Sequence, residues 1–520
     1  YHKCKDLTIK PINNIIVVGA GTAGVSVASV LKKVFPEKKI TMIKGRTIPT
    51  VGVGESTLQN INSFLQFLDI QDKDFMKACD ATYKLSIRFE NFYEKGDGGF
   101  HYPFGNIYYD DQIKTLNDWY CAKFLKPDTP VTDFADSLVP HMTMINQNKM
   151  TDKDIFPSFN HKIHAAYHFD AVKLADWIEQ NRFLPMGGET LVEDIEQINR
   201  NEDGSVKSLL MDTKKELQAD LYIDCTGFKS LLLDQTLQEP FESYEDILPN
   251  NSAWATKLPY KDKRKELVGY TDCKAVENGW IWNIPLWSRM GTGYVYSNKY
   301  ISDDDALKQF QNHLGTEDLE FKKLKMRIGI HKRLWVKNVC AIGLSSGFIE
   351  PLESNGLLTI HLFLMKLVPV LKKKIVNEFA KDHFNLSCRR RFRSFAEFVA
   401  LHYNLSNRTD TEYWRDIQNR KYPIEEKFLD IKSNFQLAFT NKMETGKWAD
   451  GGFPFIATGM NWFPNTFEEV MYENANNDIK FWEEVWNPII EAFENRKKIF
   501  KELAENCPTM YDYLERNIHG

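Results

Sequence analysis

The spacing of apolar and polar residues changes rhythm along the chain, and each change predicts an element. Residues 15–18 (Ile-Ile-Val-Val) form an unbroken apolar run, the pattern of a strand buried on both faces. Residues 25–34 switch to helical spacing, and residues 39–44 return to strand character. Residues 81–89 alternate: Thr82, Lys84, Ser86 and Arg88 share one face, while Tyr83, Leu85, Ile87 and Phe89 take the other. That predicts a half-buried strand. Asn201 to Gly204 signals a hairpin turn, and the strand that follows ends within residues 221–227. From Gly356 onward strand signals fade, and aromatic-rich helical patterns take over, as at 392–403 and 468–500. The chain thus divides into a mixed α/β (α+β) module at 1–355 and a mainly helical unit at 356–520. Residues 92–165, rich in aromatics, Pro, Asn and Asp, read as an insertion that covers the functional site. No internal repeat or low-complexity tract interrupts this pattern.

The first strand runs directly into Gly19-Ala-Gly-Thr-Ala-Gly24, so the Gly-x-Gly-x-x-Gly turn stands in its proper βαβ context. Gly19 makes the tight turn, Gly21 lets a pyrophosphate approach the backbone, and Gly24 allows close helix–strand packing. Thr22 and Ala23 open the helix whose N-terminus faces the phosphates. A dinucleotide site is expected here. The acidic residue that usually holds the ribose hydroxyls falls near Lys44, and no Asp or Glu occurs between Lys39 and Gly54. Either the adenosine end is held differently or the dinucleotide binds loosely. Gly52, Val53, Gly54 and Glu55 belong to a glycine-rich loop shaped to lie against a ligand.

Composition narrows the class. A chain of 520 residues exceeds a single average core, so two or more structural units are expected. Apolar residues at 43% and charged residues at 26% are ordinary for a soluble globular protein. A net charge of −5 leaves no cationic excess to neutralise phosphates, which argues against a nucleic-acid partner. The cysteines are scattered with no Cys-x-x-Cys pair, which suggests reduced thiols in a cytoplasmic setting. The chain starts at Tyr1 without Met and shows no signal peptide, as expected of a trimmed N-terminus. The apolar stretch 356–371 is too short for a membrane span and contains His361, Lys366 and Pro369, so a buried helix is expected. His161, His164 and His168 have helical spacing, but no carboxylate or Cys completes a set, and no metal is expected.

Three segments carry candidate chemistry. Residues 279–285 read Gly-Trp-Ile-Trp-Asn-Ile-Pro. In an extended strand Trp280 and Trp282 point to one face and build an aromatic wall with Ile284, and Pro285 stops the strand. An isolated Trp-x-Trp is more often plain core. Residues 347–356 read Gly-Phe-Ile-Glu-Pro-Leu-Glu-Ser-Asn-Gly and lead into a long helix whose free N-terminal amides suit an anion. Capping of that helix by Ser354 or Asn355 is the plain alternative. Lys84, the third candidate, would ordinarily be a solvated strand lysine.

Together these segments resemble the flavin-dependent halogenases of the tryptophan-halogenase family, over residues 13 to about 415. Trp280, Trp282, Ile284 and Pro285 match Gly-Trp-x-Trp-x-Ile-Pro, while Phe348, Pro351, Ser354 and Gly356 match Phe-x-x-Pro-x-x-Ser-x-Gly. The resemblance implies a two-dinucleotide-binding-fold FAD module, with Gly227 and Gly343 lying against the flavin. FAD would arrive as FADH2 from a separate flavin reductase, and O2 and halide would be co-substrates. Lys84 would hold the hypohalous acid by a hydrogen bond, or carry its halogen as an N-haloamine. Glu353 would accept a hydrogen bond from the oxidant or deprotonate the cationic intermediate of aromatic substitution. Halide would sit on the backbone amides of Asn355 and Gly356, with Asn355 standing where tryptophan halogenases usually have Thr. The tryptophan wall would keep the organic substrate away from the flavin.

Tyr102 and Phe104, with His101 just before them, occupy the strip where tryptophan halogenases carry His-x-Phe, and that departure argues against strict tryptophan recognition. Trp414, Trp462 and Phe463 are further aromatic candidates for a pocket wall. The runner-up is an aromatic hydroxylase on the same flavin fold. Such enzymes usually carry Gly-Asp before the ribityl chain, whereas this chain has Gly343-Leu-Ser-Ser-Gly347. A purely flavin-binding or reductase-like protein would not need Lys84, Glu353 and the wall together. A homo-oligomer stays open.

Overall fold

The computed structural model describes residues 11–47, 54–114, 116–420, 452–462 and 479–520. Two compact units emerge, each assembled from three stretches of chain. The first takes Tyr1–Ala81, His168–Ala255 and Glu320–Ala396; the second takes Thr82–Tyr167, Thr256–Leu319 and Glu397–Gly520.

A six-stranded sheet organises the first unit. Its order is Trp335–Val336, Val339–Ala341, Leu221–Asp224, Asn14–Val18, Lys39–Lys44 and Glu189–Val192. All neighbours run parallel except the edge strand Trp335–Val336. Ile15–Val18 is buried on both faces, as its unbroken apolar run requires. The helix Thr22–Val34 follows at once, which completes the predicted βαβ start. On one side of the sheet Ile16, Val18, Ile43, Tyr222 and Val339 pack against Leu209, Met211 and Leu232. Each such fully buried aliphatic side chain contributes about 1.5–3 kcal/mol. The predicted hairpin joins Ile195–Arg200 to Val206–Met211: Asn201 N–H donates to Ser205 O at 2.9 Å, and Gly204 takes φ +79°.

Within the second unit five strands pair in the order Met290–Tyr296, Gly279–Pro285, Tyr270–Val276, Ser86–Glu90 and Gly99–Pro103. Only Tyr270–Val276 and Ser86–Glu90 run parallel. The expected single strand at 81–89 is two strands, Thr82–Lys84 and Ser86–Glu90. Leu85 marks the break: its N–H donates to Gly269 O at 2.7 Å, and its carbonyl accepts from Phe104 N–H at 2.8 Å. Nor is the segment half-buried, because Thr82, Lys84 and Ser86 are as completely enclosed as Tyr83, Leu85 and Ile87. Alternation distinguished two chemical faces, and the polar one is packed inside the unit.

After Gly356 the described elements are helical: Gly356–Leu371, Glu378–Asn404, Glu412–Gln418, Phe453–Gly459, Ile479–Glu505 and Met510–Leu514, with a short terminal turn. Among the described residues, no helix is long and apolar enough to cross a membrane.

Candidate active site

The dinucleotide end of the site is built where the parallel strands of the first unit stop. Gly19 takes φ +110°, and a Cβ there would lie 2.3 Å from Cys225 O; a Cβ on Gly24 would lie 1.8 Å from Gly19 O. Neither position admits a side chain. Around Gly21 and Gly227, by contrast, a Cβ would meet nothing within 4 Å, so both backbones border open space. The 13-residue helix Thr22–Val34 has no side-chain cap and no acid in its first turn, which leaves its amides for a phosphate. Asp224, buried at a strand end, fixes the second loop by accepting from Thr226 N at 3.0 Å, Leu232 N at 2.8 Å and Leu233 N at 2.9 Å. Gly343 takes φ +88°, and its carbonyl accepts from Ser346 Oγ at 2.7 Å. These residues fit a dinucleotide such as FAD.

Lys44 stands at the end of its strand as expected, but its ammonium is committed within the chain. Nζ donates to Asp176 at 2.8 Å and Glu179 at 2.9 Å. Burial lowers its pKa, and the hydrogen bonds to the two carboxylates outweigh that and raise it. The acids missing from the strand end are therefore delivered from the helical segment that starts at Ala171.

Pro351–Glu353 forms a single 3-10 turn, Ser354 takes the left-handed conformation at φ +54°, and Gly356–Leu371 begins immediately after. Glu353, Ser354 and Asn355 are all buried. Ser354 Oγ lies 3.0 Å from Ser56 Oγ, which ties this turn to the segment carrying Gly54 and Glu55. Asn355, the residue at the cap position, makes no side-chain cap bond. A Cβ on Gly356 would meet only Glu55 Oε1, at 3.6 Å. Gly52 and Val53 lie outside the described residues.

The substrate-side candidates belong to the second unit. Lys84 is fully buried, its Nζ 5.2 Å from the centre of the Phe104 ring. Tyr102 meets Phe104 edge-on at 6.2 Å and stacks on Phe455 at 5.7 Å, and Phe455 in turn meets Phe134 at 5.4 Å. His101 turns elsewhere: its Nδ1 lies 2.9 Å from Ser86 Oγ, its ring meets Tyr270 edge-on, and burial pushes its pKa down to about 3. It is a half-buried residue, its imidazole kept neutral by desolvation, on the opposite face of the strand from Tyr102. Trp280 and Trp282 share a face as predicted, their rings 6.2 Å apart. Ile284 and Pro285 end that strand. Thr82 Oγ1 donates to Pro285 O at 2.6 Å, so the wall is bonded to the short strand that carries Lys84.

Sequence reasoning missed Thr82, Asp224 and the Ser56–Ser354 pair. A Thr two positions from the candidate lysine, and an Asp closing an apolar strand, were the available signals. His161 and His164 share a four-residue helix while His168 lies on the strand Ala166–Phe169. Among the described residues no group of three or more His, Cys, Asp or Glu side chains is arranged to hold a metal. Trp414 donates from Nε1 to Val276 O and is plain core; Phe463 lies outside the described residues. A cavity of about 250 Å³ beside Phe35 and Lys372 is lined by none of the candidate residues.

The profile of the tryptophan halogenase family matches residues 14–502. The chain is 30% identical over 540 residues to tryptophan 7-halogenase RebH of Lentzea aerocolonigenes, covering 98% of this chain and 99% of that protein. It is 35% identical over 433 residues to 7-chloro-L-tryptophan 6-halogenase KtzR of Kutzneria sp. (strain 744), covering 79% and 82%. Among solved structures, the VirX1 apo structure is 34% identical and superimposes with a TM-score of 0.89 over 98% of this chain and 100% of that one.

Proposed function

The chain belongs to the tryptophan halogenase family and is a flavin-dependent halogenase acting on an aromatic substrate; on that premise we propose that Lys84 and Glu353 deliver a hypohalous acid to an electron-rich aromatic carbon. The observation that carries this is the setting of Lys84. An ammonium fully enclosed against an aromatic ring, on a strand bonded to the tryptophan wall, has no ordinary surface role.

We take the cofactor to be FAD on a two-dinucleotide-binding fold, held by Gly19, Gly21, Thr22, Ala23 and Gly24 at one end. Gly52, Val53, Gly54, Glu55, Gly227 and Gly343 serve the other. When bound and reduced by a separate flavin reductase, the flavin supplies with O2 the two-electron oxidation of halide to hypohalous acid. Asn355 and Gly356 bind the halide. Lys84 hydrogen-bonds the oxidant and polarises its oxygen–halogen bond. The aromatic ring then forms its carbon–halogen bond as the oxygen–halogen bond breaks, and Lys84 gives a proton to the departing hydroxide so that it leaves as water. Glu353 takes the ring proton, and both side chains return to their starting state by proton exchange with solvent. Trp280, Trp282, Ile284 and Pro285 exclude the organic substrate from the flavin side, and residues 92–165 cover the reacting ring. The reductase implied is a cytoplasmic partner.

The curated relatives are named for tryptophan; for this chain we assign a less restricted substrate. Tyr102, stacked on Phe455, replaces the histidine of the substrate strip, and the rings it meets among the described residues, Phe104, Phe398 and Phe455, carry no group that would pair with an amino-acid carboxylate or ammonium. Phenols and substituted heteroarenes fit that chemistry. An aerobic assay with FAD, a flavin reductase and bromide, read by product mass, tests the reaction. A bromine isotope pair is expected, and a gain of one oxygen instead would make the enzyme a hydroxylase.

A further inference from the structure

We infer that the side-chain amide of Asn355 is itself a halide ligand, a third donor beside the first backbone amides of the Gly356–Leu371 helix, and that it opens the site to bromide. This rests on the halogenase assignment and adds a residue to it.

Asn355 is 4% exposed, and its Nδ2 is enclosed with no hydrogen-bond partner among the described residues. A buried amide donor left unpaired is costly, so such groups are retained where something accepts from them. Helix capping does not account for the residue: a cap needs an acceptor aimed at the helix amides, and Asn355 makes no side-chain cap bond. Its backbone serves the helix instead, the carbonyl accepting from Thr359 N at 2.9 Å and Thr359 Oγ1 at 2.8 Å.

Two further observations locate the acceptor. The helix is 16 residues long with no acid in its first turn, so its positive end is not neutralised from within the helix. Glu55 Oε1, 3.6 Å from the place where a Gly356 side chain would start, is an anionic group at that same end and does not accept from Nδ2. The turn is also fixed beforehand by the left-handed Ser354 and its contact with Ser56. A monatomic halide, which only accepts, suits the buried Nδ2 donor. Because Nδ2 rides on two rotatable bonds, it can follow an ion larger than chloride, which rigid backbone amides cannot.

The test uses the full chain without flavin. Crystals soaked in bromide are examined by anomalous diffraction, and bromide and chloride affinities are measured by halide NMR line broadening for wild type and Asn355→Thr. The expected result is a bromide bonded to both Asn355 Nδ2 and Gly356 N, with bromide affinity in Asn355→Thr reduced roughly tenfold or more and chloride reduced less. Bromide at the backbone amides with Nδ2 turned away, or unchanged affinity in a folded variant, overturns the side-chain role alone. Absence of bromide from this helix end in wild type overturns the halide-site assignment itself. Should Asn355→Thr fail to fold, the wild-type diffraction still decides.

Discussion

His361 lies inside the helix that begins at Gly356, is 8% exposed, and stacks on Phe64 with ring centres 4.1 Å apart. Its Nε2 has no hydrogen-bond partner, and burial alone pushes its pKa down from 6.5 to about 3. The unfolded chain therefore binds a proton here between those two values while the folded chain does not. Stability is complete above pH 6.5 and falls as the pH drops toward 3. Going from pH 7 to pH 5 crosses about 1.5 units below the unfolded pKa, which at about 1.4 kcal/mol per unit costs about 2 kcal/mol. His361→Phe removes that penalty while keeping a flat ring against Phe64. Thermal and urea unfolding of both proteins at pH 7, 6 and 5 checks the difference. Wild type should lose about 2 kcal/mol more than the variant over that range. Equal losses in the two proteins would refute a neutral, desolvated His361.

Lys84→Ala should lower product formation roughly 10²- to 10⁴-fold while reduced flavin is still reoxidised by oxygen, the two followed separately by chromatography and absorbance. A variant keeping more than a tenth of the wild-type rate would remove the lysine from the chemistry. Glu353→Gln keeps the shape but loses the base, and turnover should fall roughly 10²-fold in the same assay. Mixing the protein with FAD and NADPH alone should leave the flavin oxidised, since one dinucleotide turn is present in the sequence; rapid bleaching would show an internal reductase site. In competition between free tryptophan and simple phenols, with each halide in turn, phenols should react at least as fast. Fast regioselective chlorination of tryptophan with poor turnover of phenols would sink the open-substrate assignment.

The tight glycine turn after the first strand was legible because glycine is demanded there by geometry that leaves no alternative. Gly19 and Gly24 would each drive a Cβ into a backbone carbonyl, and such positions announce themselves in any sequence. Trp280 and Trp282 were legible for a different reason, since strand period alone puts i and i+2 on one face. What stayed hidden depends on distant segments. Lys44 is met by Asp176, 132 residues later, and Thr82 meets Pro285 across 203 residues. No local pattern encodes such pairings. The polarity of Thr82, Lys84 and Ser86 was visible, but alternation reports that two faces differ, not what covers each. Ser354 and Asn355 looked equally suited to cap a helix. The fold separates them: Asn355 takes the cap position without a side-chain cap bond, while Ser354 is left-handed and meets Ser56.

On the roles proposed above, the hydrogen bond from Thr82 to Pro285 ties the strand of the barrier to the strand of the oxidant-holding lysine in one frame. That frame divides the labour for anyone reshaping the enzyme. Substitutions within it move the lysine relative to the wall and therefore trade away chemistry. The ring at Tyr102, in contrast, leans on Phe455 in the separate short helix Phe453–Gly459. If Tyr102 lines the substrate pocket as proposed, trimming Phe455 or its neighbours would tune substrate size from that helix, with the frame of Thr82 and Pro285 left as it is.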